Sequence, residues 1–138
     1  MFLLDTDALS ELEKPQPDEG LLGWLDNVDW LDVHLSIITV GELWQGIAKL
    51  PNSPRRRSLE AMFQLLPDRF HNRIIPIDYD IAHRFGEIQA KVGPLPSLDT
   101  LIAATAITRR LTLVTHNIRD MARTTASILD PWTNKQPG

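Results

Sequence analysis

Short apolar runs alternate with amphipathic stretches along the whole chain, and that alternation leaves few folds open. Residues 2–4, 33–37, 74–77 and 111–115 each have the length and composition of a buried strand, and 127–129 read as a fifth strand at the sheet edge. Helical spacing fills the intervals. Residues 6–13 form a short helix ended by Pro15 and Pro17, and a second helix runs from about Asp18 through Leu21, Leu22 and Leu25. Leu43, Trp44, Ile47 and Leu50 recur on one face of a helix over 40–50 that Pro51 stops, and Leu59, Met62, Phe63 and Leu66 do the same over 54–66. Residues 79–92 are amphipathic; after the Gly93-Pro94-Leu95-Pro96 loop, Leu98, Leu101, Ile102, Thr105 and Ala106 mark a helix packed through small side chains. Strands separated by helices make βαβ units, so the expected class is α/β with a mainly parallel sheet of four to five strands.

A chain of 138 residues holds one compact domain, expected over 1–130, and is too short for two of ordinary size. Residues 131–138 read as a polar tail that frays, Trp132 excepted. No segment reaches the 18 or so consecutive apolar residues of a membrane span. The start of the chain lacks the basic flank of a signal peptide, so a cytoplasmic protein without membrane contact is expected. With no cysteine, oxygen and histidine are the only strong metal ligands. The net charge of −4 runs against a nucleic-acid partner, but the positive residues are unevenly spread. Arg55, Arg56 and Arg57 are consecutive, and Arg109, Arg110, Arg119 and Arg123 surround a late acidic position.

Asp5, Glu42, Asp99 and Asp120 lie far apart in sequence, yet each follows a strand-like run or opens the helix-like stretch after it. In an open parallel sheet the carboxyl ends of the strands line one crevice, so such residues meet in space. Each also has a simpler reading. Asp5 is placed to cap the first helix, and Thr39-Val40-Gly41-Glu42 matches the S/T-x-x-E capping box. Asp99 falls in a first helical turn, where a negative charge is favoured, and Asp120 follows Asn117, itself a suitable cap. Capping links none of the four positions to another. A divalent cation links them all, because converging carboxylates repel one another unless something positive joins them. Mg²⁺ or Mn²⁺ takes oxygen ligands, keeps several waters, and activates water against phosphodiesters. Thr6, Ser36 and Thr115 stand beside these positions as hydroxyls able to hold ligands or water.

Four blocks carry a resemblance: Leu4-Asp5-Thr6-Asp7-Ala8-Leu9-Ser10-Glu11, Leu35-Ser36-Ile37-Ile38-Thr39-Val40-Gly41-Glu42-Leu43, Leu98-Asp99-Thr100-Leu101-Ile102-Ala103-Ala104-Thr105-Ala106 and Leu113-Val114-Thr115-His116-Asn117-Ile118-Arg119-Asp120. In this order they resemble the signature blocks of PIN-domain ribonucleases, most closely the VapC toxins of type II toxin–antitoxin modules and their FitB-like branch. Pro15-Gln16-Pro17 and Asp130-Pro131-Trp132 are similar to that branch too.

The resemblance implies a PIN-like three-layer α/β/α domain and a toxin-like endoribonuclease dependent on Mg²⁺ or Mn²⁺. Asp5 and Asp99 look like the principal metal ligands and Glu42 a third ligand or water-activating group. The last block supplies a fourth position, assigned here to Asp120 with Asn117 assisting. The chain departs from the family in having Met121 where an aromatic residue is usual, and Asp7 where Asn is commoner; Asp7 is read as a helix cap. Thr6, Ser36, Thr115 and Asn117 fall into supporting roles, and Arg55, Arg56, Arg57, Arg119 and Arg123 are candidates for contacting RNA. A VapB-like antitoxin is the implied partner, with Trp24, Trp30, Trp44 and Leu50 available for an apolar groove, and a homodimer is implied as well. Asp5-Thr6-Asp7 also mimics the opening of haloacid-dehalogenase-type phosphatases and the acidic pocket of receiver domains, but no lysine lies beside the fourth strand. A PIN-like module that binds RNA or antitoxin without cutting is the other alternative.

Overall fold

The computed structural model describes residues 1–133. Its strands are β1 (Phe2–Leu4), β2 (Val33–Ser36), β3 (Ile74–Ile75), β4 (Thr112–Val114) and β5 (Ile128–Leu129). They form one sheet in the order β3-β2-β1-β4-β5, and every pairing is parallel. The helices are α1 (Thr6–Leu12), α2 (Glu19–Asp26), α3 (Ile37–Ala48), α4 (Pro54–Gln64), α5 (Leu66–Phe70), α6 (Tyr79–Val92), α7 (Ser97–Arg109) and α8 (Ile118–Met121).

Strand alternation sorts the apolar residues into two cores, one on each face of the sheet. Leu4, Val33, Leu35 and Val114 face one way and pack with Leu9, Leu21, Leu43, Ile47, Phe63 and Phe70. Leu3, Ile75 and Leu113 face the other and meet Ile81, Ile88, Ile102 and the small side chains Ala103, Ala104 and Ala106 of α7. The register agrees, since Leu3 lies opposite Leu113 and Leu4 opposite Val114. Both faces of the sheet are therefore covered, giving the three-layer α/β/α arrangement expected of an α/β chain.

Several element boundaries differ from expectation for identifiable reasons. The helix expected from residue 40 begins at Ile37, because Ser36 caps it: the Ser36 hydroxyl accepts from the Ile38 amide at 3.0 Å. The expected Thr39–Glu42 capping box does not form, since both residues already lie inside α3. Pro76 has no amide hydrogen to continue a ladder, and β3 stops at Ile75. The helix expected over 54–66 is broken into α4 and α5, with Pro67 in the first turn of α5. Short 3₁₀ turns at Trp30–Asp32 and His71–Arg73 lead into β2 and β3. They are joined by the buried Arg73 guanidinium, which donates to the carbonyls of Trp30 (2.7 Å), Val33 and Arg69 (3.0 Å) and packs over the rings of Trp30 and Phe70. Nothing in the local sequence marks Arg73 as a core residue.

The tail is tied down where it begins, at Trp132, the residue excepted from fraying, and also at Thr133. Trp132 is buried against the Leu4 and Leu9 core, and the Thr133 amide donates to Asp18 Oδ2 at 3.1 Å, at the cap of α2. Residues 134–138 lie outside the described residues. No helix among the described residues is long and apolar enough to cross a membrane.

Gly20 is what lets the tail approach α2. A Cβ there would stand 2.3 Å from the Pro131 carbonyl oxygen and 2.7 Å from the Thr133 amide nitrogen, both backbone atoms, whereas one at Gly23 would meet nothing within 4 Å. Gly20→Ala is therefore expected to destabilise the protein by roughly 1–3 kcal/mol through overpacking. Gly23→Ala in the same helix is expected to stabilise it by about 0.5–1 kcal/mol. Urea unfolding midpoints check both, and equal effects at the two positions would refute the close-approach argument.

Candidate active site

The sheet order places its switch point between β1 and β4: the chain proceeds outward through β2 and β3, then returns to the other side of β1. At such a point the two following connections diverge and leave a crevice outside the carboxyl ends. The residues immediately after β1 are Asp5 and Thr6, and those after β4 are Thr115, His116 and Asn117. The helix α3 follows β2 from the same edge and carries Glu42. Because α7 must run back to the opposite edge to enter β4, its first turn, with Asp99, also lies here.

An open cavity of about 40 Å³ occupies the crevice, walled by Asp5, Asp7, Glu42, Asp99, Thr6, Thr115 and Asn117 over the apolar Ile102, Leu113 and Met121. Asp5, Glu42 and Asp99, drawn from three separate stretches of chain, thus face one space. Asp5 also caps α1, its Oδ1 accepting from the Ala8 amide at 2.8 Å. The capping reading and the site reading of Asp5 are therefore compatible. Glu42 caps nothing. Its Oε1 accepts from the Thr6 hydroxyl at 2.6 Å, and that hydroxyl is 3.0 Å from the Thr39 hydroxyl, so two threonines on α1 and α3 orient the carboxylate.

The fourth position resolves into a pair with different placements. Asn117 is on the cavity wall, and Asp120 stands behind it, accepting from the Asn117 side-chain amide at 3.4 Å. Asp120 still reaches the site through its charge, which contributes to raising the Asp99 pKa. Asp7, read from sequence as a cap, does not cap; Asp5 does, and Asp7 lines the cavity. Strand-end position alone makes Asp5 and Asp7 hard to separate, since two residues on, the chain has already entered a helix. Thr115 hydrogen-bonds Asp5 through its hydroxyl while accepting from the Asn117 amide at 3.0 Å. Ser36 is buried and used as the cap of α3.

The negative charges are in conflict with their surroundings. Burial pushes the Asp5 carboxyl up from 3.8 to about 7, against the lowering effect of its bonds from Thr115 and Ala8, and the charges of Asp7 and Asp99 push the same way. Asp99 is raised too, first by burial and then by Glu42, Asp7 and Asp120. No three Asp, Glu or His side chains among the described residues already converge as ligands of a common ion. The donor set nonetheless suits Mg²⁺ or Mn²⁺: carboxylate, amide and hydroxyl oxygens around an open space, for an ion that uses few direct carboxylates and retains water. Asp5 and Asp99, on the cavity wall, would hold it, with Glu42 and Asn117 flanking.

A second, larger depression of about 200 Å³ adjoins the first and shares Thr6 and Glu42 with it; its floor is Leu43, Ile47, Leu50, Leu59 and Phe63, with Arg55 and Lys14 on its wall. Leu50 lies in this groove as expected, but the tryptophans do not line it. Trp24 packs edge-on against Phe2, Trp30 against Phe70, and Trp44 against Phe63. Of the arginines expected to contact RNA, Arg56 pairs with Glu60 at 3.0 Å and donates to the Leu50 carbonyl, Arg57 donates to Asn52, and Arg123 donates to the Val92 carbonyl. Arg119 is exposed on α8, the helix that Asn117 caps.

A PIN domain family model matches residues 2–126. The toxin FitB of Neisseria gonorrhoeae is 35% identical over 96% of this chain and 99% of its own length. The VapC ribonuclease Y4jK of Sinorhizobium fredii is 30% identical over 96% of this chain and 98% of its own length. Among solved structures, that of FitAcB from Neisseria gonorrhoeae superimposes with a TM-score of 0.90 at 33% identity, covering 97% of this chain and 100% of that one. A toxin–antitoxin complex from Klebsiella pneumoniae gives 0.75 at 26% identity, covering 96% and 98%.

The raised Asp5 pKa has a definite sign for stability. The folded state keeps this proton up to about pH 7, while the unfolded chain releases it near 3.8. The contribution is fully present below the unfolded value and is lost as pH rises through the folded one. Asp5→Asn retains the helix cap and removes the buried charge. In EDTA the variant is expected to melt several degrees above wild type at pH 8 and to lose that advantage toward pH 4. Melting curves across this range are the check, and a variant less stable than wild type at pH 8 would contradict it.

Proposed function

The chain belongs to the PIN-domain family, in its VapC/FitB-like toxin branch, and from that membership we propose that it is a divalent-metal-dependent endoribonuclease held in check by a cognate antitoxin. The observation that carries the reading is the meeting of Asp5, Glu42 and Asp99 on one open cavity at the switch point of the sheet. The ribonuclease name of the Sinorhizobium relative supports RNA as the substrate, and the toxin–antitoxin complex from Klebsiella supports the partner.

A bound Mg²⁺ or Mn²⁺ would neutralise charge on the scissile phosphate and acidify an attacking water. Asp5 and Asp99 would hold that ion, with Glu42 beside them. Glu42, oriented by Thr6, would accept a hydrogen bond from the attacking water and take up its proton as the new P–O bond forms; the P–O bond to the departing ribose oxygen breaks, and that oxygen takes a proton from solvent. Asn117 presents its amide from the wall, and Asp120 behind it keeps the side chain turned and adds negative charge. Thr115 fixes Asp5. The apolar floor of Ile102, Leu113 and Met121 keeps the carboxylates in a medium where their attraction to a cation is strong. Single-stranded or looped RNA suits an open crevice of this kind, since splayed nucleotides can bring a phosphate to it. Arg55, on the wall of the adjoining depression, and Arg119, exposed on the helix that Asn117 caps, are the arginines assigned to the RNA backbone.

The antitoxin segment is assigned to the adjoining groove, whose Leu43, Ile47, Leu50 and Phe63 offer apolar contact and whose end opens at Glu42. A basic side chain carried on that segment would reach the carboxylates directly. Homodimerisation is proposed on family grounds.

Purified protein is expected to cleave single-stranded or looped RNA with Mg²⁺ or Mn²⁺ and to stop in EDTA. Asp99→Asn is expected to lower the rate at least about 100-fold, as loss of one charge-handling group commonly does, without lowering the melting temperature. Metal-dependent RNA binding with no cleavage would favour the non-catalytic module. Activity that survives both EDTA and Asp99→Asn would end the mechanism.

A further inference from the structure

His116 stands between two wall residues of the acidic cavity, Thr115 and Asn117, but does not itself line it. Its ring is gripped from two sides. Nδ1 donates to Asp130 Oδ2 at 3.0 Å, and the imidazole stacks on the Trp132 indole with centroids 4.9 Å apart and planes 21° from parallel. Neither partner has room to move. The Asp130 side chain is 7% exposed and its other oxygen accepts from the Trp132 amide at 3.0 Å. Trp132 is buried beside Leu4, Ala8, Leu9 and Leu21, and the chain on either side of it presses on Gly20 and Asp18. A buried carboxylate with both oxygens engaged, and an indole set into the core, form a rigid bracket around the imidazole.

The bracket bears on the site because of what lies next to His116. The Thr115 hydroxyl bonds Asp5 and accepts from the Asn117 amide, and the Thr115 amide donates to the Leu129 carbonyl at 3.0 Å. Asn117 faces the cavity and orders Asp120. The backbone bends at His116, between the two wall residues, so a clamp on its side chain that fixes the His116 backbone also fixes where Thr115 and Asn117 leave that bend. We propose that His116 is a positioning residue for the acidic site, clamped by Asp130 and Trp132 so that Thr115 and Asn117 hold their polar groups toward Asp5 and the cavity. Groups standing behind direct ligands commonly set metal affinity in this way. The proposal rests on the cavity being a divalent-metal site. A ring that served packing alone would affect stability and leave cation binding unchanged.

Calorimetric titration of metal-stripped protein with Mn²⁺ separates these cases. In His116→Asn the side-chain amide sits where Nδ1 was and can still donate to Asp130; in His116→Gln it sits where Nε2 was and cannot. The Gln variant is expected to bind Mn²⁺ about 10-fold more weakly than wild type, and the Asn variant within about threefold of it. Asp130→Asn, which alters the same bond from the other side, is expected to match the Gln variant. Phe70→Leu, a core change beside the 3₁₀ turn at the opposite edge of the sheet, is expected to lower the urea midpoint and leave Mn²⁺ affinity alone. Equal affinity in wild type, the Gln variant and Asp130→Asn overturns the positioning role. Wild-type protein that binds no Mn²⁺ overturns the metal-site reading, and this proposal with it, by a distinguishable result.

Discussion

The parallel pairing of β1 on both sides is the constraint from which the site follows. Leu3 and Leu4 lie level with His34 and Leu35 of β2 and with Leu113 and Val114 of β4, so the chain leaves all three strands at the same height. A one-residue slip would turn Leu4 and Leu3 to the wrong faces and separate Asp5 from Thr115 in the same stroke. The two apolar cores that hold the register therefore hold the acidic cavity as well. Nothing in the carboxylates themselves favours their assembly; it is imposed on them by hydrophobic burial elsewhere.

That imposition explains the electrostatics. A carboxyl held near 7 instead of 3.8, as Asp5 is, records free energy stored in the folded state whenever the group is ionised. The local hydrogen bonds limit the conflict without removing it: Ala8 and Thr115 serve Asp5, Thr6 serves Glu42, and Asn117 serves Asp120. Each of these partners is also a cap, a turn or a helix-packing contact, so the same residues maintain backbone geometry and screen charge. The dual use of Asp5 as cap and wall residue is why weighing capping against function as alternatives misleads at this position.

Most of the architecture was legible because it rests on short-range rules. Strand-like runs, helical periodicity and proline stops identify the α/β alternation, and the family blocks add the likeness to PIN domains. The failures have physical reasons. The capping box at Thr39–Glu42 is locally well formed, but Ser36 is also a good cap and lies where β2 ends, so tertiary geometry chose between two valid signals. Asp7 could not be told from a cap without the turn of α1 that points it into the cavity. Trp24, Trp30 and Trp44 were candidates for an exposed groove because helical spacing does not say which face is covered; each is paired with another aromatic ring. Arg73 and Trp132 are the long-range cases, joined to the carbonyls of 30 and 33 and to the N-terminal core, respectively. No window of sequence contains both partners of those contacts.

The placement of the groove beside the cavity completes the physical picture of the proposed toxin. A site in which Asp5 and Asp99 are raised by burial and by neighbouring negative charge favours any cation that enters, whether a divalent ion or a guanidinium or ammonium group on a peptide. The two kinds of cation relieve the same stored energy, so they compete for it. An ion brings waters and open coordination positions, which support hydrolysis; a basic side chain brings neither. Leu43, Ile47 and Phe63, continuous with Glu42 along one depression, give a peptide apolar anchorage that an ion lacks and so tilt the competition toward the peptide when it is present. Inhibition of the kind proposed would then need no distortion of the fold. It would follow from supplying a positive charge in a form that carries no water to activate.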